Sequence, residues 1–228
     1  MKKTLIFAVS IMIAFSACTG KKKNLLAPEL AAKAMTAFEK KRYSQSIETF
    51  EKLLDWYPFD KLATLAEFKI AESHFKMKEY DEAVIYYKDF IKLHPRNEAV
   101  PYVMFQIAQC YYKRVDTVDR DQNNARFALI ELRMIIRKFP DSEYAKQSKA
   151  LIKKCLESIA GHEVYVGSFY YKSKHYKAAL NRFKGIVANY PGLGFDEEAT
   201  KYVAMCNEKI AEEEAAGGKE EKKFLGLF

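Results

Sequence analysis

The sequence predicts an all-α solenoid of about four and a half helix-turn-helix units, and three observations carry that prediction. A pattern of small, aromatic and proline positions recurs four times along the chain. Only 9 Gly and 6 Pro punctuate 228 residues, too few breakers for an all-β fold that turns every 8 to 12 residues or so. At 49% hydrophobic and 30% charged, the composition is that of a globular chain rather than a disordered or collagen-like one.

The first element is a leader, residues 1–17. Lys2 and Lys3 precede an apolar run from Leu5 to Phe15, and Ser16-Ala17 lead into Cys18. A bilayer-spanning helix needs about 20 apolar residues, so the run reads as a secretory signal. Phe15-Ser16-Ala17-Cys18 resembles a lipobox, with Phe15 where Leu is usual. The resemblance implies lipidation of Cys18 by diacylglycerol and an N-acyl chain, and Thr19 after it favours the outer membrane. Ordinary signal cleavage is the alternative. One acyl chain anchors only marginally, whereas two or three hold durably. Residues 18–27 then form a tether carrying Lys21-Lys22-Lys23, which reads as a solvated linker or as attraction to anionic head groups at about 1 kcal/mol per charge. The net charge of +8 is spread along the whole chain without a finger, RNP or basic-region motif, which excludes a nucleic-acid partner.

The solenoid is predicted over residues 28–211, with N-terminal units in 28–98 and C-terminal units in 99–211. Its first unit reads Ala34, Ala37-Phe38, Tyr43, Ser46-Ile47, Phe50 and Leu53, closing at Tyr57-Pro58. The second reads Ala71, His74-Phe75, Tyr80, Ala83-Val84, Tyr87 and Phe90, closing at His94-Pro95. The third opens with Ala108 and Tyr111-Tyr112, has about eight extra residues in its turn, and closes at Phe139-Pro140. The fourth reads Gly167, Tyr170-Tyr171, Tyr176, Ala179-Leu180, Phe183 and Ile186, closing at Tyr190-Pro191. These residues resemble the tetratricopeptide repeat. The physical reasons stand apart from the name: a small residue lets two helices cross closely, the Tyr fills the gap beside it, and Pro stops the second helix.

Between Pro140 and the fourth unit, Ser142 is a helix cap, and Tyr144, Ala145, Ser148, Leu151, Ile152, Cys155, Leu156 and Ile159 keep a 3.6-residue period. The pattern allows one long helix running on into the fourth unit. A last helix from about Asp196 presents Ala199, Tyr202, Val203, Cys206 and Ile210 on one face, then gives way to a charged tail, 212–228.

Catalytic constellations are missing from the sequence. His162-Glu163 begins like a zinc motif but lacks the second His four residues on. The pair Gly192 and Gly194 lacks a third glycine and a preceding strand, and no G-x-S-x-G occurs. The reading is of a non-enzyme with no metal and no cofactor beyond the covalent lipid. Cys110, Cys155 and Cys206 read as small buried hydrophobes, with one disulfide left open.

In stacked helix pairs the first helices line the concave, binding side. One position there carries Phe38, Phe75, Tyr112 and Tyr171, followed by Glu39, Lys76, Lys113 and Lys172. Such a row suits an extended peptide ending in an aromatic residue and a carboxylate, and packing between helices is the alternative. Tyr57, Phe59, Phe68, Tyr102 and Phe105 join this candidate groove. Arg182 and Lys184 among apolar residues of a second helix are a second candidate, or plain surface charges.

The order of Tyr57-Pro58-Phe59, Tyr102-Val103-Met104, Asp119-Arg120-Asp121, Ala125-Arg126, Phe139-Pro140-x-Ser142-x-Tyr144 and Asn181-Arg182 resembles the BamD (YfiO, ComL) family of outer-membrane assembly lipoproteins. The resemblance implies a lipid-anchored periplasmic scaffold at the outer membrane, in the machinery that folds and inserts β-barrel proteins. Its implied partners are a BamA-type POTRA/β-barrel protein met by the C-terminal units through Arg182 and Lys184, other lipoproteins of that machinery, and C-terminal signals of unfolded outer membrane proteins received by the N-terminal units in the groove. A different repeat lipoprotein, such as a pilotin for secretin or pilus assembly or a cell-wall coordination factor, would share the anchor and repeats but not Arg182 or the Asp119 to Arg126 turn.

Overall fold

The structure is a computed structural model that describes residues 25–225, with side chains through residue 216. The leader, Cys18 and the Lys21 to Lys23 run lie outside the described residues. Among the described residues the chain forms helices and no strand. They are α1 (Ala27–Glu39), α2 (Tyr43–Trp56), α3 (Ala63–Met77), α4 (Tyr80–Leu93), α5 (Val100–Tyr112), α6 (Asn123–Lys138), α7 (Glu143–Lys172), α8 (Tyr176–Asn189) and α9 (Asp196–Leu225). Each helix packs on its neighbours in the chain, and α5 also touches α7. Four helix pairs and a ninth helix make the predicted four and a half units.

The repeat grammar shows how these boundaries arise. Residues before proline are driven out of the helical region. Accordingly Tyr57, His94, Phe139 and Tyr190, each preceding a proline, end α2, α4, α6 and α8 at φ of −137, −126, −136 and −131°. Within units one, two and four, the turn passes through Lys41, Lys78 and Lys174 at φ of 59, 65 and 61°. The backbone N–H after each reaches back to Ala37, His74 and Tyr170 at 2.8, 3.0 and 2.9 Å, satisfying carbonyls that the helix end leaves open. Ala34, Ala71 and Ala108 are fully buried where paired helices cross. At Gly167 even a Cβ would sit 2.9 Å from the Phe183 ring.

The third unit replaces the tight turn with the segment 113–122, and α7 holds it down. Ser158 donates to the side-chain Oε1 of Gln122 at 2.6 Å, and the Gln122 side-chain Nε2 donates to the Thr117 and Arg120 backbone carbonyls. The His162 ring meets the Val118 carbonyl at 2.7 Å. Helix α7 starts on the predicted cap, where the Ser142 hydroxyl accepts from the Ala145 N–H at 3.1 Å, and runs 30 residues without a break into the fourth unit.

Two boundaries differ from the sequence expectation. The tether does not extend to residue 27. Ala27 is buried in α1, Leu25 packs against the Leu30, Phe50 and Leu53 cluster, and the Leu25 carbonyl accepts from the Tyr57 hydroxyl at 3.1 Å. Leu25 reaches a hydrophobic surface that the charges of the tether do not reveal, while Leu26 beside it stays exposed. At the other end α9 continues past 211 to Leu225. Glu, Ala and Lys are strong helix formers, no proline intervenes, and Gly217 and Gly218 each cost only about 1 kcal/mol.

The apolar core is divided along the solenoid. Cys110, Cys155 and Cys206 are free and buried in three separate clusters.

Candidate functional site

The predicted aromatic row is split by its own packing. Phe38, Phe75 and Tyr171 each meet, edge-on, the Tyr that opens the second helix of the same unit: Tyr43 at 5.4 Å, Tyr80 at 5.8 Å and Tyr176 at 5.4 Å. These rings are committed to the inside of their units and lie half-buried. Lys76 is exposed, with its ammonium 5.9 Å from the Phe75 ring. Lys69, not singled out from the sequence, is placed more closely, 4.5 Å over Phe38 and 5.4 Å over Phe68.

Tyr112 differs because the expanded turn of its unit leaves no Tyr to cover it. With Phe105 and Lys113 of α5 it lines a cavity of about 410 Å³ whose far wall is Gln147, Leu151 and Lys154 of α7. Phe105 is buried beneath and meets Tyr144 at 5.8 Å. An apolar floor with two ammonium groups can take an aromatic or aliphatic side chain that carries a carboxylate beside it. Gln147, Leu151 and Lys154 escaped the sequence reading because periodicity shows which face of α7 is apolar, not that α7 lies across α5.

The other groove candidates are arranged differently. Phe68 and Tyr102 pack on each other at 5.8 Å, and the Tyr102 hydroxyl donates to the Glu72 carboxylate at 2.8 Å. Glu72 is buried and also accepts from Tyr87 at 2.5 Å. Burial first, and then Glu72, push both phenols above their ordinary range. Tyr57 turns its hydroxyl to Leu25, while Phe59, just beyond Pro58, is 100% exposed. Tyr57 and Phe59 do not line the α5/α7 cavity, because the turn carries them to the edge of the first unit.

A second constellation joins α6, α7 and α8. Glu163 of α7, its side chain 15% exposed, is held by Arg182 of α8 at 2.8 Å and by Arg126 of α6 at 3.5 Å. The hydrogen bond to Glu163 raises the pKa of Arg182 further. A cavity of about 330 Å³ opens beside them, lined by Asn181, Arg182 and Tyr190 among others. Arg182 therefore keeps an internal carboxylate. Lys184, two residues on, points away to another side of α8 and lines no part of this cavity. His162-Glu163, which lacks the second His of a zinc motif, instead ties α7 to its neighbours through both side chains.

Residues 25–223 match the YfiO family, described as an outer membrane lipoprotein. The chain belongs to the YfiO family. A relative from Rickettsia prowazekii (strain Madrid E), named outer membrane protein assembly factor BamD, is 30% identical over 228 residues, 90% of this chain and 91% of the relative. One of the same name from Neisseria gonorrhoeae is 30% identical over 95 residues, 42% of this chain and 36% of the relative. Among solved structures, the TPR2AB domain of yeast Sti1, in a complex with pHSP90, covers 81% of this chain and 70% of its own at a TM-score of 0.50 and 13% identity. That likeness is one of tetratricopeptide fold.

Within this YfiO chain, no helix of the described residues is long and apolar enough to cross a membrane. Among the same residues no group of three His, Cys, Asp or Glu side chains could hold a metal ion.

Proposed function

We propose that this chain is an outer-membrane-anchored periplasmic scaffold of the β-barrel assembly machinery, lipidated at Cys18. The observation that carries this reading is the match, over nine-tenths of both chains, to the R. prowazekii assembly factor. The chain works by holding partners together rather than by catalysis. Its C-terminal units dock on the POTRA domains of a BamA-type protein through Arg182, and the α5/α7 cavity receives the aromatic C-terminal signals of unfolded outer membrane proteins. Two features support these assignments: the charge cluster opens beside a surface cavity on α8, and Lys113 with Lys154 faces the apolar floor on Phe105.

The test is a pull-down of the full lipoprotein from gently solubilised envelopes, with wild type, Arg182→Glu and Glu163→Gln compared by mass identification of co-purifying proteins. A POTRA-barrel protein comes down with wild type and is largely lost with Arg182→Glu, since reversing a charge that the docked partner buries costs about 2–5 kcal/mol. Glu163→Gln frees Arg182 without removing it and keeps the partner. Recovery of a secretin, or of no barrel-assembly protein, would sink the reading.

A further inference from the structure

The beginning of the solenoid carries an apolar group that the repeat does not use. Leu26 is 61% exposed, Trp56 47% and Phe59 100%. The hydrogen bond from Tyr57 to the Leu25 carbonyl brings the start of α1 to the end of α2, so these three side chains flank a single contact. Lys61, exposed, follows in the same turn. Asp60 also lies there, but its carboxylate is engaged by the Leu62 backbone N–H at 2.8 Å.

We infer that Leu26, Trp56 and Phe59 form a docking patch for the lipid surface, which lays the first unit against the membrane instead of leaving it on a free tether. The inference rests on the lipid-anchor reading above. Leu25 stands seven positions after Cys18, and an extended chain spans at most about 3.3–3.6 Å per residue. An anchored Cys18 therefore keeps this end of the solenoid within about 25 Å of the bilayer. Trp and Phe side chains settle at the membrane–water boundary, where an apolar ring is buried next to polar head groups. The intervening sequence carries Lys21, Lys22 and Lys23, charges of the sign that anionic lipid attracts. With the first unit pinned, the α5/α7 cavity acquires a fixed height above the surface.

Trp56 is the chain's only tryptophan and therefore its own reporter. The full lipidated chain is reconstituted in phosphatidylethanolamine–phosphatidylglycerol vesicles, with or without lipids brominated along the acyl chain, and recovered by flotation. The expected result is blue-shifted Trp56 emission that brominated lipid quenches. Leu26→Ser with Phe59→Ser, at an unchanged urea midpoint, still floats but loses most of the quenching. Quenching that persists in this variant overturns the patch. A wild-type chain that floats without being quenched, and whose emission shifts only when the POTRA-barrel partner is added, replaces the lipid surface with a protein contact. A chain that fails to float overturns the anchor, and the patch with it.

Discussion

Glu131 lies half-buried on α6, and burial raises its carboxyl pKa against the attraction of Lys88 and Lys138. The sign of its contribution follows from linkage. At neutral pH the group is charged in both states, and the folded state carries the desolvation cost. As pH falls through the raised folded value, the folded carboxyl gains its proton first and the cost fades, disappearing below the unfolded value near about 4.3. Glu131→Gln is therefore expected to raise the urea midpoint at pH 7, with the gain vanishing below about pH 4; an equal gain at both pH values would refute the account. Glu163 shows the limit of reading by motif at this scale. Its partners Arg126 and Arg182 lie 37 and 19 positions away, and their convergence follows from helix stacking that no local spacing encodes. Cys155 is simpler: periodicity placed it on the apolar face, and burial pushes its thiol up to about 11.

Helices α7 and α8 approach closely at Gly167 but not at Gly185, so glycine has opposite meanings at the two positions. At Gly167 a methyl group would enter the ring of Phe183, which is fully buried and stacked on Tyr202 at 4.4 Å, leaving it no room to yield. Gly167→Ala is expected to destabilise by about 1–3 kcal/mol through overpacking, outweighing the helix-propensity gain of about 1 kcal/mol. At Gly185 no atom lies within 4 Å of the added carbon, so Gly185→Ala should gain about 1 kcal/mol. Chemical denaturation of the two variants beside wild type checks both signs at once. Most of the element plan was legible because small, aromatic and proline positions have local causes: crossing distance, gap filling and helix arrest. What was hidden had no such cause. Lys41, Lys78 and Lys174 carry left-handed turns where composition would have chosen Gly, and α9 continues simply because nothing in its sequence stops it.

A solenoid is stabilised by nearest-neighbour contacts, so its terminal elements open before its centre. The three thiols report on this directly, since Cys206 lies in the cluster shared with the last helix while Cys155 and Cys110 lie in inner clusters. Burial pushes Cys110 up to about 12, so reaction requires opening of the fold. Maleimide labelling resolved by mass spectrometry should modify Cys206 first, with all three reacting at similar rates only in denaturant. The same architecture sets where a peptide signal can be read. Phe38, Phe75 and Tyr171 are capped by the tyrosines of their own units, whereas α7, crossing to α5, leaves Tyr112, Lys113 and Lys154 around open space. A peptide ending in an aromatic residue and a free carboxylate should therefore lose affinity with Lys113→Glu plus Lys154→Glu. Each reversed charge contributes on the order of 1 kcal/mol in a well-hydrated setting, so the pair predicts about a tenfold or greater weakening in fluorescence anisotropy, reduced at high salt. Phe75→Ala with Lys76→Glu should change affinity much less, because that ring packs within its own unit on Tyr80 and its lysine lines no part of the cavity. The opposite ranking of the two variants would move the reading surface from the α5/α7 crossing to the N-terminal row.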